Sequence, residues 1–385
     1  MTQQVDIIIA GGGIIGLSAA IAMRQRGFSV TIVDAGSLTA NTSTPDARVY
    51  AINQASQRLL NNLGIWQNVD QSRVSPYTHM HVWDAANGAH IDFDARMIGT
   101  DKLGVIMEES IIKQAALQQA TQLGIEFSPN CRINAVQSSV EGISLQAESQ
   151  TWQAKLLIVA DGAASTTRQL LGVSITSWPY HQNAIVSTIE TEKPHQHTAW
   201  QVFNPDGPLA FLPLIDQNRC SIVWSTSTTH AQQLMTLSDE DFENQLTKAF
   251  SNKLGNCNII GKRHQLPLTM RHAKQYSSSN WLLMGDAAHT IHPLAGLGLN
   301  VGLADLTCWL TQLDTNKNHV WSNKILGAYQ RQRKHAVWQI IALMGGLKTL
   351  FANPLPPITL LRGIGLSACN SLSPLKRLFI EHAAG

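Results

Sequence analysis

Apolar residues fall along this chain in short unbroken runs and in helical stripes, and the alternation of the two sets its organisation. Residues 5–10 (VDIIIA) form an apolar run, the mark of a strand buried on both faces. Residues 15–26 then carry apolar side chains at helical spacing, and Gly27 stands where a helix ends. A second strand, FSVTIVD, closes at Asp34, so residues 5–34 predict a β-α-β unit. Two more apolar strands follow much later: LLIVA ends in Asp161-Gly162, and WLLM ends in Gly285-Asp286. Between them lie HQNAIVSTIET, TAWQVFN, GPLAFLPLI and CSIVWSTS, rich in β-branched and aromatic residues and broken by turn formers, which predict a second sheet. Past residue 322 the pattern is helical: a basic start, QRQRKH, and then an apolar continuation.

Three glycines make the first turn informative. Gly11, Gly13 and Gly16 give G-x-G-x-x-G between the first strand and its helix. Gly11 permits the tight turn, Gly13 lets backbone amides approach a pyrophosphate, and Gly16 lets helix and strand pack closely. The helix N-terminus supplies unpaired N–H groups and a positive dipole end. Asp34, eighteen residues after Gly16, is placed to bind ribose hydroxyls. An acid there favours an unphosphorylated ribose, hence FAD or NAD.

Composition narrows the class. With 385 residues, 44% hydrophobic and 14% charged, the chain is globular and long enough for about two domains. A net charge of +2 argues against a broad nucleic-acid surface. The five cysteines are scattered with no C-x-x-C pair, which points away from disulfides and zinc and towards a reduced cytoplasmic setting. No cleavable leader is read at the N-terminus, and no uninterrupted apolar stretch approaches the ~20 residues of a membrane span. His289 and His292 are three apart, but no third ligand is spaced to complete a metal site.

The Asp-Gly and Gly-Asp corners both put a carboxylate at the C-terminal end of a buried strand, where open α/β sheets bind ligands. Taken with G-x-G-x-x-G, they resemble the class A flavoprotein monooxygenases of the p-hydroxybenzoate hydroxylase type. In that family Gly11, Gly13 and Gly16 match the grip on the ADP half of FAD. Asp161, Gly162, Ser165 and Arg168 match its D-G-x-x-S-x-x-R motif, near FAD and the pyridine nucleotide. Gly285 and Asp286 match its G-D motif, whose Asp holds the ribityl chain. Gly296, Gly298 and Asn300 match its last glycine turn, whose amides face the flavin pyrimidine, with Leu299 beside them. Arg48 matches the arginine set against the pyrophosphate. The stretches ARVYAINQASQRLLNNLGIWQ, QVFNPDGPLAFLPL, LPLTMR and GDAAHTIHPLAGLGLNVGLAD narrow the likeness to the ubiquinone-biosynthesis hydroxylases, nearest the 2-polyprenylphenol hydroxylases. Leu297 departs from the Gln common at its position.

The resemblance implies a Rossmann-like FAD-binding domain (residues 1–75, 100–175 and 275–322). It also implies an inserted, mainly antiparallel β substrate domain (76–99 and 176–274) and a helical C-terminal region (323–385). It implies that NAD(P)H reduces the flavin as a transient donor, there being no second G-x-G-x-x-G, and that O2 then forms a flavin hydroperoxide that hydroxylates a lipid-like phenol. The protein supplies position and excludes water. Phe211, Leu212, Pro213 and Trp224 are expected to line the substrate wall, Pro293 to lie on the flavin's substrate side, and His292 to assist proton transfer. Plain sheet packing is the competing reading for the wall residues. The greasy, basic-edged C-terminal part is expected either to pack on the FAD domain or to meet a prenyl tail, the inner membrane face or a partner protein, and a homo-oligomer is also open. Other readings are a flavin-dependent halogenase, which the absence of any Trp-x-Trp among ten tryptophans opposes, and a non-catalytic flavoprotein of a biosynthetic complex.

Overall fold

The structure is a computed structural model that describes residues 2–139, 141–148, 150–291, 297–315, 321–372, 374, 376–377 and 379. A parallel sheet forms its centre. Strands Ile7–Ala10, Val30–Val33, Leu156–Val159 and Trp281–Leu283 lie side by side with Glu126–Ser128 at one edge and Ser277–Ser278 at the other. The four central strands are buried along their whole length, as their unbroken apolar runs require. The first strand starts at Ile7 because Asp6 turns aside: its carboxylate accepts from Ser29 N and Oγ. Helix Ile14–Gln25 crosses between the first two strands, and Gly27 ends it at φ +88°. A small four-stranded sheet of residues 2–4, 135–138, 143–147 and 150–154 extends this layer. Its strands mix polar and apolar positions and give little period-2 signal.

The second layer is a nine-stranded, largely antiparallel sheet. The long strand Ile175–Thr191 pairs with Arg219–Ser227 on one side and His264–Ala273 on the other. Gly207–Pro213 and Thr198–Asn204 continue the sheet, and His79–Asp84 joins it in parallel, followed by His90–Asp94. One face of this sheet packs on helices Thr228–Thr236 and Asp239–Ala249 through Trp224, Phe211, Phe242 and Phe250. The other face turns towards the parallel layer and towards two terminal helices, Asn323–Ala352 and Pro356–Ser371. The fold is mixed α/β with a helical C-terminal part.

Candidate active site

Two turns from opposite ends of the chain meet here. Gly11 N donates to Val33 O, and Ala160 N donates to Ala10 O, so the strand ends before Gly11 and before Asp161 are level. A Cβ on Gly11 would lie 2.4 Å from Ala160 O, and one on Gly16 1.9 Å from Gly11 O. No side chain fits at either position. A Cβ on Gly13 would meet no atom within 4 Å, and the same holds at Gly298. These two glycines border open space, as a turn that cradles a ligand must. Helix Ile14–Gln25 begins at Gly13 with no side-chain cap, which leaves its first amides available to a phosphate. The donor set and the open cradle fit the ADP half of FAD.

Asp34 closes this turn: Oδ2 accepts from Gly12 N and Oδ1 from Gly36 N, both at 2.6 Å. Asp161 Oδ2 accepts from Thr167 N, while Oδ1 is buried with no protein partner. Ser165 caps the short helix Thr166–Leu170 by accepting from Arg168 N. The side chain of Arg168 does not open to the site. It is buried, with Nη1 donating to Ala287 O at 2.8 Å and Nη2 to Ala163 O. It joins the Asp-Gly turn to the Gly-Asp turn and supports both.

The Gly-Asp turn rests on a buried charge network that the sequence reading did not identify. Asp305, fully buried, accepts from Gly285 N at 2.8 Å and from His289 Nε2 at 2.7 Å, and pairs with Arg333 Nε at 2.6 Å. Burial alone would raise the Asp305 carboxyl, but His289 and Arg333 outweigh it and hold its pKa below the ordinary value. Ile15, in the first turn of the N-terminal helix, is wedged against Gly285 and Gly302, where an added Cβ would come within 3.2 and 3.0 Å of it. Glycine at 302 therefore lets helix Leu297–Thr315 approach the Gly-Asp turn. Asn300 donates to Ala51 O at 2.7 Å and accepts from Asn53 N, tying that helix to strand Val49–Asn53.

Between this floor and the antiparallel sheet lies a cavity of about 320 Å³. Asp286, Gly298, Asn300 and Arg48 border it on the floor side, and Thr290, Ala184, Ala199, Ala210, Leu212, Val223 and Leu268 on the sheet side. Asp286 opens to the cavity yet is enclosed by the fold. Burial raises its pKa, with His289, Arg48 and Arg271 opposing the rise. Arg48 is held from behind: Asp46 N donates to Glu108 Oε2, Ser110 N donates to Asp46 Oδ2, and the Arg48 guanidinium lies 3.5 Å from Glu109 and over the Tyr50 ring. Arg271 adds a second cation to the cavity wall, and Tyr77, whose hydroxyl burial pushes up to about 12, adds a phenol.

The wall corrects part of the sequence reading. Leu212 lines the cavity, but Phe211, Pro213 and Trp224 do not. On strand Gly207–Pro213 the even positions 208, 210 and 212 face the cavity, so the odd positions face away. Phe211 stacks on Phe250 at 3.6 Å in the core behind the sheet, and Trp224 packs edge-on to Phe242 there. Size and aromaticity suggested the wall, whereas period-2 alternation would have selected Ala210 and Leu212. Arg271 and Tyr50 were inside quoted stretches, but only the tertiary pairing brings them to one space. His292, Pro293 and Gly296, and the side chain of Leu297, lie outside the described residues. Leu299 is buried in the parallel-layer core. Among the described residues no cluster of His, Cys, Asp and Glu could hold a metal.

This arrangement defines a class: an FAD-binding chain whose cofactor floor is closed by an apolar sheet. Comparison with known proteins agrees. The family model described as FAD binding domain matches residues 4–343. Over its full length the chain is 33% identical to the 3-demethoxyubiquinol 3-hydroxylase of Escherichia coli, covering 99% of that protein. It is 31% identical to the mitochondrial ubiquinone biosynthesis monooxygenase COQ6 of Xenopus tropicalis, with 98% of this chain and 93% of that one covered. Among solved structures, p-nitrophenol 4-monooxygenase PnpA from Pseudomonas putida superposes with a TM-score of 0.81 at 16% identity, over 100% and 99% of the two chains. The chain belongs to this FAD-binding family and is an FAD-dependent monooxygenase.

Proposed function

We propose that the protein hydroxylates the aromatic ring of a polyprenylated phenol in ubiquinone biosynthesis, with NAD(P)H as transient electron donor and O2 as oxidant. The observation that carries the reading is the cavity, which borders Asp286, Gly298 and Asn300 on one side and an apolar sheet face on the other. The names borne by the full-length relatives support the pathway. Bound FAD supplies the redox chemistry, taking electrons from the nicotinamide and activating dioxygen.

The residues of the chain supply position and surroundings. Gly11, Gly13 and the first turn of the Ile14–Gln25 helix hold the pyrophosphate, Asp34 the adenosine ribose, and Asp286 the ribityl end. Ala210, Leu212, Val223 and Leu268 form a dry face against which a phenol ring lies flat and from which water is excluded. Arg48, on the floor side, would stand against the FAD pyrophosphate, and Arg271 places positive charge at the floor end of the sheet face. A ring oxygen near Arg271 holds its proton less tightly, which makes the ring more electron-rich. Proton transfer by His292 and a place for Pro293 beside the flavin remain part of this reading.

Two measurements test it. The purified protein should be yellow and should oxidise NAD(P)H much faster with a prenylated phenol present than without. A strain lacking the gene should accumulate a prenylated phenol one hydroxylation short of the quinone in its lipid extract, and the mass of that species names the step. A colourless protein, or a quinone pool and precursor profile identical to the parent strain, would remove the assignment.

A further inference from the structure

The sheet wall of the cavity is apolar at its centre but not at its rim. Ala210 and Leu212 line it from strand Gly207–Pro213. Gln201 stands opposite Ala210 on the strand to one side, and Val223 stands opposite it on the strand to the other. Ser225 is the next residue of that second strand on the same face. Tyr77 packs against Leu212. Gln201, Ser225 and Tyr77 all border the cavity, and Gln201 and Ser225 are only 6% and 2% exposed.

The fold makes no use of the polar groups these three carry. Among the described residues the Gln201 amide, the Ser225 hydroxyl and the Tyr77 hydroxyl have no hydrogen-bond partner. Asn300, in the same lining, is by contrast tied to Ala51 O and Asn53 N. A flat ring resting on Ala210 and Leu212 turns its edge towards the three groups. A ligand that seals such a group from water without bonding it loses affinity, about tenfold for each group stranded. Ala210 is the smallest side chain of the row Gln201, Ala210, Val223, and it leaves room for a substituent beside the Gln201 amide.

Arg271 does not serve this rim. It lies on strand His264–Ala273, and three strands separate that strand from the one carrying Gln201. A ring oxygen held at Arg271 is therefore not the oxygen that meets Gln201. We infer that Gln201, with Ser225 and Tyr77 beside it, selects a phenol that already carries a second ring oxygen, as a hydroxyl or alkoxy group, and binds that oxygen at the ring edge. The three are specificity-determining residues: they discriminate between phenols and take no part in the redox chemistry. The inference rests on the reading of this cavity as the phenol site.

Two synthetic geranylphenols of nearly the same shape test it, one with a methoxy and one with an ethyl group ortho to the hydroxyl. Their dissociation constants are read from the change in flavin absorbance of the FAD-loaded protein, without NAD(P)H. The methoxy compound should bind about tenfold more tightly or better. Gln201→Met keeps the length of the side chain and removes the amide, and it should bring the two constants within about twofold of each other. Ser225→Ala and Tyr77→Phe should lower the ratio by smaller steps. Val223→Ala should weaken both compounds and leave the ratio unchanged, as a purely apolar contact does. FAD content and melting temperature of the Gln201, Ser225 and Tyr77 variants should match the unaltered protein. Equal binding of the two compounds, while both accelerate NAD(P)H oxidation, would overturn the inference and leave the proposed function standing. A ratio that survives all three rim substitutions would overturn it too, by placing the oxygen elsewhere. If neither compound perturbs the flavin or accelerates NAD(P)H oxidation, the proposed function falls and the inference with it.

Discussion

The floor and the wall of the cavity are built on opposite logic. On the floor, position is set by backbone contact and buried charge: glycines without room for a methyl group, Arg168 on a carbonyl, and Asp305 holding Gly285, His289 and Arg333. In the wall, position is set by the alternation of a β-strand, which sends small apolar residues to the cavity and large aromatics to the core behind. A floor of this kind tolerates almost no substitution. A wall of this kind can be resized without touching the fold.

The largest test sets two floor glycines against each other. Gly16→Val should abolish soluble folded protein, since its Cβ would overlap the Gly11 carbonyl, with a cost above about 5 kcal/mol. Gly13→Val faces open space, so the melting temperature of the FAD-free protein should move by no more than about 2 °C while FAD affinity falls about tenfold or more. If both variants lose the fold equally, the division between packing and cradle glycines is wrong.

Asp286→Ala comes next. It removes the cavity's acid without opening the core, and the purified variant should be colourless and fold normally. Stoichiometric FAD in that preparation would assign the cofactor contact elsewhere. On the wall, Phe211→Ala should destabilise by about 3–5 kcal/mol in chemical denaturation with little change in turnover per folded molecule. Ala210→Phe, one residue away, should do the reverse, raising KM at nearly constant stability. Loss of substrate binding in Phe211→Ala with unchanged stability would overturn the assignment of the two faces.

The smallest effect concerns pH. His272 is buried beside His289 and Trp338, and burial, with Lys334 and His289 adding to it, holds its imidazole down at about 4. The unfolded chain binds this proton near pH 6.5, so between 6.5 and about 4 it holds more protons than the fold. Stability from this group is therefore complete above about 6.5 and lost as pH falls towards 4, by about 1–3 kcal/mol. Denaturation midpoints of a His272→Gln variant should show a flatter slope over that window, and an unchanged slope would locate the titration elsewhere.

Much of the floor was legible because its signals are local. A run such as IIIA followed by three glycines, a helical stripe and Asp34 specifies strand, turn and helix within one β-α-β unit, and each piece constrains the next. The wall was only half legible. Its strands could be read from β-branched and aromatic content, but which face met the cavity could not, and the large aromatic Phe211 was the wrong choice beside small Ala210.

By itself, then, the sequence determined the glycine turns, the strands that carry them and the membership of an FAD-binding family, because those depend on residues within a few positions of one another. Only the tertiary structure decided that Asp305 and Arg333 brace the Gly-Asp turn, that Arg168 joins two turns, and that Arg48 and Arg271 share one cavity. Those relations join residues from 28 to more than 200 positions apart, and no local periodicity encodes which buried charge will find which partner.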